Sequence, residues 1–219
     1  MSYGEIQHFK KKGAINKIII IIIMVLYLLR HEIRLKERVD FFTPLGMTGK
    51  YRSKTKLFRD LDKLQIDEIY CSPYKRTLDT IDTLSRLKNI PIKIDWALAE
   101  FLNIYDQEQN RDNKFPDIVE QTKLHDNYNI DKSYKPTTTH EYVNSYIESY
   151  DSFKKRVENF TNLVNLMKSQ NILIVTHGAV CNYMSELLVG YRRDFQMGEC
   201  LRLDFGPIRA HESIDHTSS

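Results

Sequence analysis

The apolar run from Ile18 to Leu29 stops abruptly at Arg30, His31 and Glu32, and that ending limits what the chain can fold into. Twelve apolar residues fall short of the ~20 that a membrane-spanning helix needs, and no small-residue cleavage site follows them. An apolar stretch that breaks on a polar pair is instead the pattern of a strand buried on both faces of a parallel sheet. On this reading the domain starts near Met24 and residues 1–23 are a dispensable extension, either native or the product of an upstream start. A membrane tether through residues 15–29, with the basic flank "KKGAINK", is the alternative.

The rest of the chain repeats the alternation of strand and helix. Leu57, Leu61 and Leu64 recur at helical spacing and predict a helix over roughly 50–63. "DEIYC" is a short strand, and Ser72 followed by Pro73 reads as an N-cap and first helical residue, with Leu78, Ile81 and Leu84 facing inward. "IPIKID" is a third strand. Residues 103–138 show little periodicity and are expected to form a loop-rich cap or lid. A long helix then carries Tyr146, Tyr150, Phe153, Val157, Phe160, Val164 and Met167 as a core stripe, followed by the strand "NILIVT", the helix "AVCNYMSELL" and the strand "CLRLDF". This order predicts an α/β domain over residues 24–206, a mainly parallel sheet flanked by helices in three layers, with a polar tail over 207–219.

Composition removes several classes of function. Lys and Arg number 32 against 29 Asp and Glu, so the formal charge of +3 gives no reason to expect a nucleic-acid partner. Cys71, Cys181 and Cys200 form neither a CxxC pair nor a ligand spacing, which points away from a disulfide framework or zinc site and toward a reducing, cytoplasmic setting. The eight glycines include no GxGxxG or GxxxxGK[ST] cradle. His-Glu pairs begin at His31, His140 and His211, but the positions four residues on hold Leu35, Asn144 and Asp215, so none is a zincin motif.

The polar residues gather where the predicted strands end. Arg30 and His31 follow the first strand, Ser72 and Arg76 the second, Glu100 the third and His177 the fourth, and ligands bind at that edge of open α/β sheets. Arginine forks grip phosphate oxygens, a neutral imidazole can attack phosphorus, and a protonated carboxyl can supply a proton to a departing oxygen. Arg76 in a first helical turn is also unfavourable for the helix dipole unless an anion lies near it.

As a set these segments resemble the histidine phosphatase superfamily, the phosphoglycerate-mutase-like fold. "LYLLRHE" is similar to its Arg-His-Gly motif, "TPLGMTGKYRS" to its Pro-Leu-Thr element, "IYCSPYKRTLDT" to its Ser-Ser-Pro-x-x-Arg segment, "LAEF" to its Leu-x-Glu segment and "ILIVTHGAV" to its second histidine motif. The resemblance runs from Met24 to Phe205. It implies a phosphomonoester phosphatase in which His31 takes the phosphoryl group, Arg30, Arg76 and His177 bind its oxygens, and Glu100 is general acid and then general base. It implies no cofactor and no metal, and a phosphorylated small molecule or phosphoprotein as substrate.

Two departures bear on activity. Glu32 stands where the family has glycine, or else the glycine is lost and Glu32 is the acidic residue that often follows it. A carboxylate about 4 Å from a phosphate charge would cost roughly 1 kcal/mol in a watery site and up to ~4 kcal/mol at an effective dielectric near 20. Turning to solvent, or pairing with Arg34 or Arg38, would remove that penalty. Replacing Glu32 with glycine is therefore expected to raise kcat/KM about tenfold. A phosphate- or phosphoprotein-binding module of the same fold, catalytically weak or inactive, is the alternative function. The Asn-x-Phe-x-Gly-Trp signature of phosphoglycerate mutases is absent after Arg34, which favours a phosphatase over a mutase.

Overall fold

The computed structural model describes residues 24–35, 41–101, 118–139, 148–167, 169 and 171–205. Strand β1 (Met24–Arg30) runs through the sheet, paired parallel to β4 (Asn171–Thr176) on one side and antiparallel to β5 (Cys200–Phe205) on the other. Beyond β4 lie β2 (Glu68–Cys71) and β3 (Ile92–Ile94), both parallel, for an order β3-β2-β4-β1-β5. With both edges of β1 bonded, its side chains alternate between two buried faces, which is why it reads as a continuous apolar run.

Those faces define the layers. Leu26 and Leu28 join Phe153, Val157, Phe160 and Val164 of one helix and Val180 and Met184 of another. Val25, Tyr27 and Leu29 join Leu57, Leu61, Leu78, Ile81 and Leu84 on the opposite face. Leu26, Leu28 and Leu29 are each wholly buried, and each such side chain contributes about 1.5–3 kcal/mol relative to exposure. Residues 24–29 are therefore committed to the sheet, and a tether through residues 15–29 would have to remove an interior strand, the one between β4 and β5. Among the described residues no helix is long and apolar enough to cross a membrane.

Local structure departs from the sequence expectations in four places. The helix expected over 50–63 is two helices, α1 (Met47–Lys54) and α2 (Lys56–Asp62). They break at Thr55, whose backbone leaves the helical region (φ −124, ψ −85) while its hydroxyl donates to the Tyr51 carbonyl. The helix expected to start at Pro73 starts two residues later, as α3 (Lys75–Lys88), with Tyr74 at its N-cap. Ser72 lies two residues before that N-cap; its hydroxyl accepts the Tyr74 N–H at 3.4 Å and also meets the His177 ring at 2.8 Å.

Part of the expected lid is ordered structure docked on the sheet edge. Helix α4 (Ile118–His125) leads to Ile130, which bridges parallel to Ile92. The buried Asp95 carboxylate fastens the chain just beyond Ile130, accepting from the Tyr134 hydroxyl and the Thr137 N–H, both at 2.7 Å. The remainder of the 103–138 segment lies outside the described residues. Helix α5 (Tyr150–Val164) carries the expected stripe from Phe153 to Val164, capped by the Ser149 hydroxyl accepting from the Ser152 N–H at 3.1 Å. Tyr150, expected in the core, is half-exposed at its first turn, and Met167 packs on the core from beyond its end. Tyr146 lies outside the described residues. Helix α6 (Gly178–Val189) follows β4 directly.

Candidate active site

The strand ends deliver their polar residues to one place. The His31 N–H donates to the Thr176 carbonyl at 2.9 Å, and the Ser72 N–H donates to the Val175 carbonyl at 3.0 Å, so three loops are laced together by backbone bonds that continue the sheet. The Thr176 hydroxyl donates to the Leu98 carbonyl at 2.6 Å, which draws in the turn (Trp96–Leu98) before Glu100. The His31 and His177 rings meet edge to face, with centroids 5.3 Å apart.

His31 is buried and its Nδ1 lies 2.7 Å from the Glu32 carbonyl. A carbonyl only accepts, so Nδ1 carries the ring proton and Nε2 keeps its lone pair. Burial, then the neighbouring His177 and Arg76, hold the imidazole well below its ordinary pKa, so it is neutral near pH 7. A buried, neutral imidazole with a fixed tautomer and a free nitrogen is a competent nucleophile toward phosphorus.

Around that nitrogen stand the other residues the sequence singled out. Arg76, fully buried in the first turn of α3, lays its guanidinium over the Tyr74 ring at 4.6 Å and reaches the Glu100 Oε2 at 3.4 Å. The same carboxylate oxygen lies 3.1 Å from the His177 Nδ1. Arg30 donates through Nη1 to the Phe195 carbonyl. Its guanidinium passes so close to Gly178 that a Cβ there would sit 3.1 Å from Cζ, so a larger residue would displace it by a few tenths of an ångström. Burial would raise the Glu100 pKa, but His177, Arg76 and His31 outweigh it and hold the carboxyl below its ordinary value. Burial lowers His177 to about 4, with Arg76 adding to the fall and Glu100 opposing it.

His31, Glu100 and His177 present ligand atoms within 4.8 Å of one another. Such a trio could ligate a cation, but the Arg76 guanidinium touches it and repels a dication.

The structure adds Tyr74 to the site and gives Ser72, which the sequence places only at the strand-end edge, a specific partner there. Ser72 holds the His177 Nε2, and the Tyr74 ring lies edge-on to His177 at 4.9 Å. The sequence signal for Ser72 is its place at a strand end, which fits a helix cap equally well. Arg34, expected only as a partner for Glu32, has Arg76, Glu100 and Arg30 as its electrostatic neighbours. The Glu32 carboxylate, in turn, points away from the histidines. It lies 3.2 Å from the Arg52 Nε on α1 and so close to Gly198 (φ +77) that a Cβ there would fall 2.4 Å from its Oε1. Arg38 lies outside the described residues.

With this geometry in place, comparison with known proteins is decisive for the family. The model of the histidine phosphatase superfamily (branch 1) matches residues 27–200. The chain belongs to the histidine phosphatase superfamily. No curated protein sequence matches it. Solved structures of the superfamily share the fold. The α-ribazole phosphatase of Shigella flexneri is 22% identical with a TM-score of 0.58, over 85% of this chain and 95% of that one. A mycobacterial glucosyl-3-phosphoglycerate phosphatase is 17% identical with a TM-score of 0.56, over 83% and 90%. The phosphoglycerate mutase of Bacillus anthracis is 14% identical with a TM-score of 0.58, over 84% and 89%.

Proposed function

We propose that this histidine phosphatase is a phosphomonoester hydrolase that works through a phosphohistidine on His31 Nε2. The observation that carries the reading is the bond between His31 Nδ1 and the Glu32 carbonyl at 2.7 Å, which leaves Nε2 unprotonated inside a cluster of arginines. In the first step Nε2 attacks phosphorus, the P–O bond to the leaving group breaks, and the Glu100 carboxyl gives that oxygen its proton. In the second step a water attacks the phosphohistidine, Glu100 takes the water's proton, and the P–N bond breaks to return His31 and inorganic phosphate. Arg30, Arg76 and the ring N–H of His177 hold the three phosphoryl oxygens, supplying the charge stabilisation that Mg²⁺ supplies in other phosphoryl-transfer sites.

Glu100 is ionised in the resting site despite its burial because the His177 ring N–H and the Arg76 guanidinium hold its carboxyl below the ordinary value. An incoming phosphate dianion reverses part of that field and favours the protonated carboxyl, so substrate charge itself prepares the acid. The superfamily's solved neighbours include enzymes named as phosphatases of small phosphorylated molecules, which supports a substrate of that kind. Residues 24–206 form the catalytic domain in this reading, and a reducing, cytoplasmic setting is supported by three unpaired thiols at Cys71, Cys181 and Cys200.

The test is turnover of p-nitrophenyl phosphate in the presence of EDTA, with acid quench during turnover of labelled substrate. The reading expects metal-independent hydrolysis and an acid-labile, base-stable phosphoprotein that His31→Ala abolishes. Phosphate binding without turnover would instead establish the binding-module alternative.

A further inference from the structure

The two-step reaction uses Arg30 and Arg76 and leaves a third arginine at the same edge without a task. Arg34 stands three residues beyond His31 on a segment fixed by backbone pairing: it forms an antiparallel bridge with Leu45, the Leu35 N–H donates to the Pro44 carbonyl at 3.2 Å, and the Gly46 N–H donates to the Ile33 carbonyl at 3.0 Å. Its side chain is partly buried, and Nη1 donates to a neutral acceptor, the Leu35 carbonyl, at 3.0 Å. No described carboxylate lies within ion-pair distance of it, and Glu100 is engaged by Arg76 and His177 instead. Burial and the charges of Arg76 and Arg30 all disfavour a cation at Arg34, with Glu100 opposing them, yet a guanidinium does not release its proton.

A charge balance indicates what the arrangement is complementary to. Arg30, Arg34 and Arg76 bring three positive charges to the same sheet edge, with Arg76 and Arg30 the cationic neighbours of Arg34 and Glu100 the anionic one. Glu100 offsets one of them only until it carries the proton destined for the leaving group. A phosphoryl dianion then leaves one positive charge unmatched. A guanidinium keeps several N–H donors beyond the one bonded to Leu35, and their fork geometry suits a carboxylate or phosphate.

We propose that Arg34 binds a second anionic group, a carboxylate or a second phosphate, carried by the leaving-group part of the substrate, so that the preferred substrates are phosphomonoesters with a further negative charge close to the ester. This inference rests on the phosphatase reading for its catalytic arm and on the site geometry alone for its binding arm.

The experiment uses the full chain and two matched probe pairs. Phenyl phosphate and meta-carboxyphenyl phosphate are compared in turnover, and benzylphosphonate and meta-carboxybenzylphosphonate, which cannot be hydrolysed at the ester position, are compared in calorimetric binding. A charge-assisted pair at this site should favour the carboxylate member of each pair by about 10- to 100-fold. Arg34→Gln should abolish that preference, lowering the carboxylate members about 10- to 100-fold more than the uncharged ones, and Arg34→Lys should retain part of it. Equal handling of both members by the native protein would overturn the inference. So would an equal loss on both members in Arg34→Gln, which would place Arg34 on the transferred phosphoryl group. If neither ester is hydrolysed but the phosphonate preference is present and disappears in Arg34→Gln, the phosphatase reading fails and the anion site stands.

Discussion

Replacing Glu32 with glycine restores the residue that the superfamily carries beside its nucleophile, and the structure predicts that this weakens the protein without speeding it. The side chain is wholly buried, accepts the Ile33 N–H at 3.3 Å and lies 3.2 Å from the Arg52 Nε. Losing the backbone bond costs about 1 kcal/mol. Because the Arg52 side chain is 35% exposed, solvent screening limits the ion pair to about 0.5–1 kcal/mol. Glycine's extra backbone freedom adds a further ~0.5–1 kcal/mol, for a total destabilisation of about 2–3 kcal/mol.

The pH dependence has a definite sign. Burial raises the Glu32 carboxyl pKa, with the Ile33 N–H and Arg52 partly opposing it. The folded protein therefore holds a proton that the unfolded chain has released, so the Glu32 contribution is full below the unfolded value of 4.5 and declines as pH rises through the folded one. The deficit of Glu32→Gly should be larger near the acid end of that window and smaller at neutral pH. Urea unfolding at several pH values reads it directly. Turnover per folded molecule should fall or stay within about threefold, a change of under 1 kcal/mol, because the carbonyl that holds His31 belongs to the backbone. A tenfold gain in kcat/KM, about 1.4 kcal/mol, with unchanged stability would show that the carboxylate faces the phosphoryl group and would refute this account.

Other perturbations separate the roles of neighbouring groups. Glu100→Gln should lose about 10²- to 10⁴-fold on an alkyl phosphate and far less on p-nitrophenyl phosphate, whose leaving oxygen needs no proton; equal losses would remove Glu100 from the acid role. Ser72→Ala releases the His177 Nε2, now 2.8 Å from the hydroxyl, and should cost about 1 kcal/mol of stability in thermal unfolding along with much of the turnover. His177, lowered by burial to about 4, resists protonation that the unfolded chain accepts. Its share of stability is therefore full above pH 6.5 and is lost as pH falls from there toward about 4, which pH-dependent unfolding of native protein and His177→Asn would reveal as a difference in slope. Deleting residues 1–23 should leave a folded, active domain in circular dichroism and turnover, since β1 begins at Met24; loss of activity together with membrane partitioning of the full chain would favour the tether.

Much of the frame is legible in the sequence because burial on both faces writes itself into composition. β1 and β4 are apolar at nearly every position since both their edges are paired and both their faces covered, and the same burial makes the change to Arg30-His31 and to His177 visible as strand ends. The illegible parts depend on partners that sequence proximity does not supply. Thr55 leaves the helical region within a periodic leucine pattern, the Ser72 hydroxyl meets His177 across the sheet edge, and the segment after α4 docks beside β3 through Ile130 and the Asp95 cluster.

Glu32 shows the difference most sharply. Its residue type suggests a charge beside the phosphate, yet the direction of the side chain is decided by the cation on α1 and by the room that Gly198 leaves for it, while its backbone is held by the Thr80 hydroxyl at 3.1 Å. Gly198 also donates its N–H to the Arg30 and His31 carbonyls, at 3.1 and 3.0 Å, so the residue that makes space for the carboxylate also fixes the backbone of His31. One residue thereby fixes the His31 tautomer through its carbonyl and anchors to α1 through its side chain. Substitution of that side chain should separate the two, changing stability while the His31 tautomer, set by the backbone, is retained.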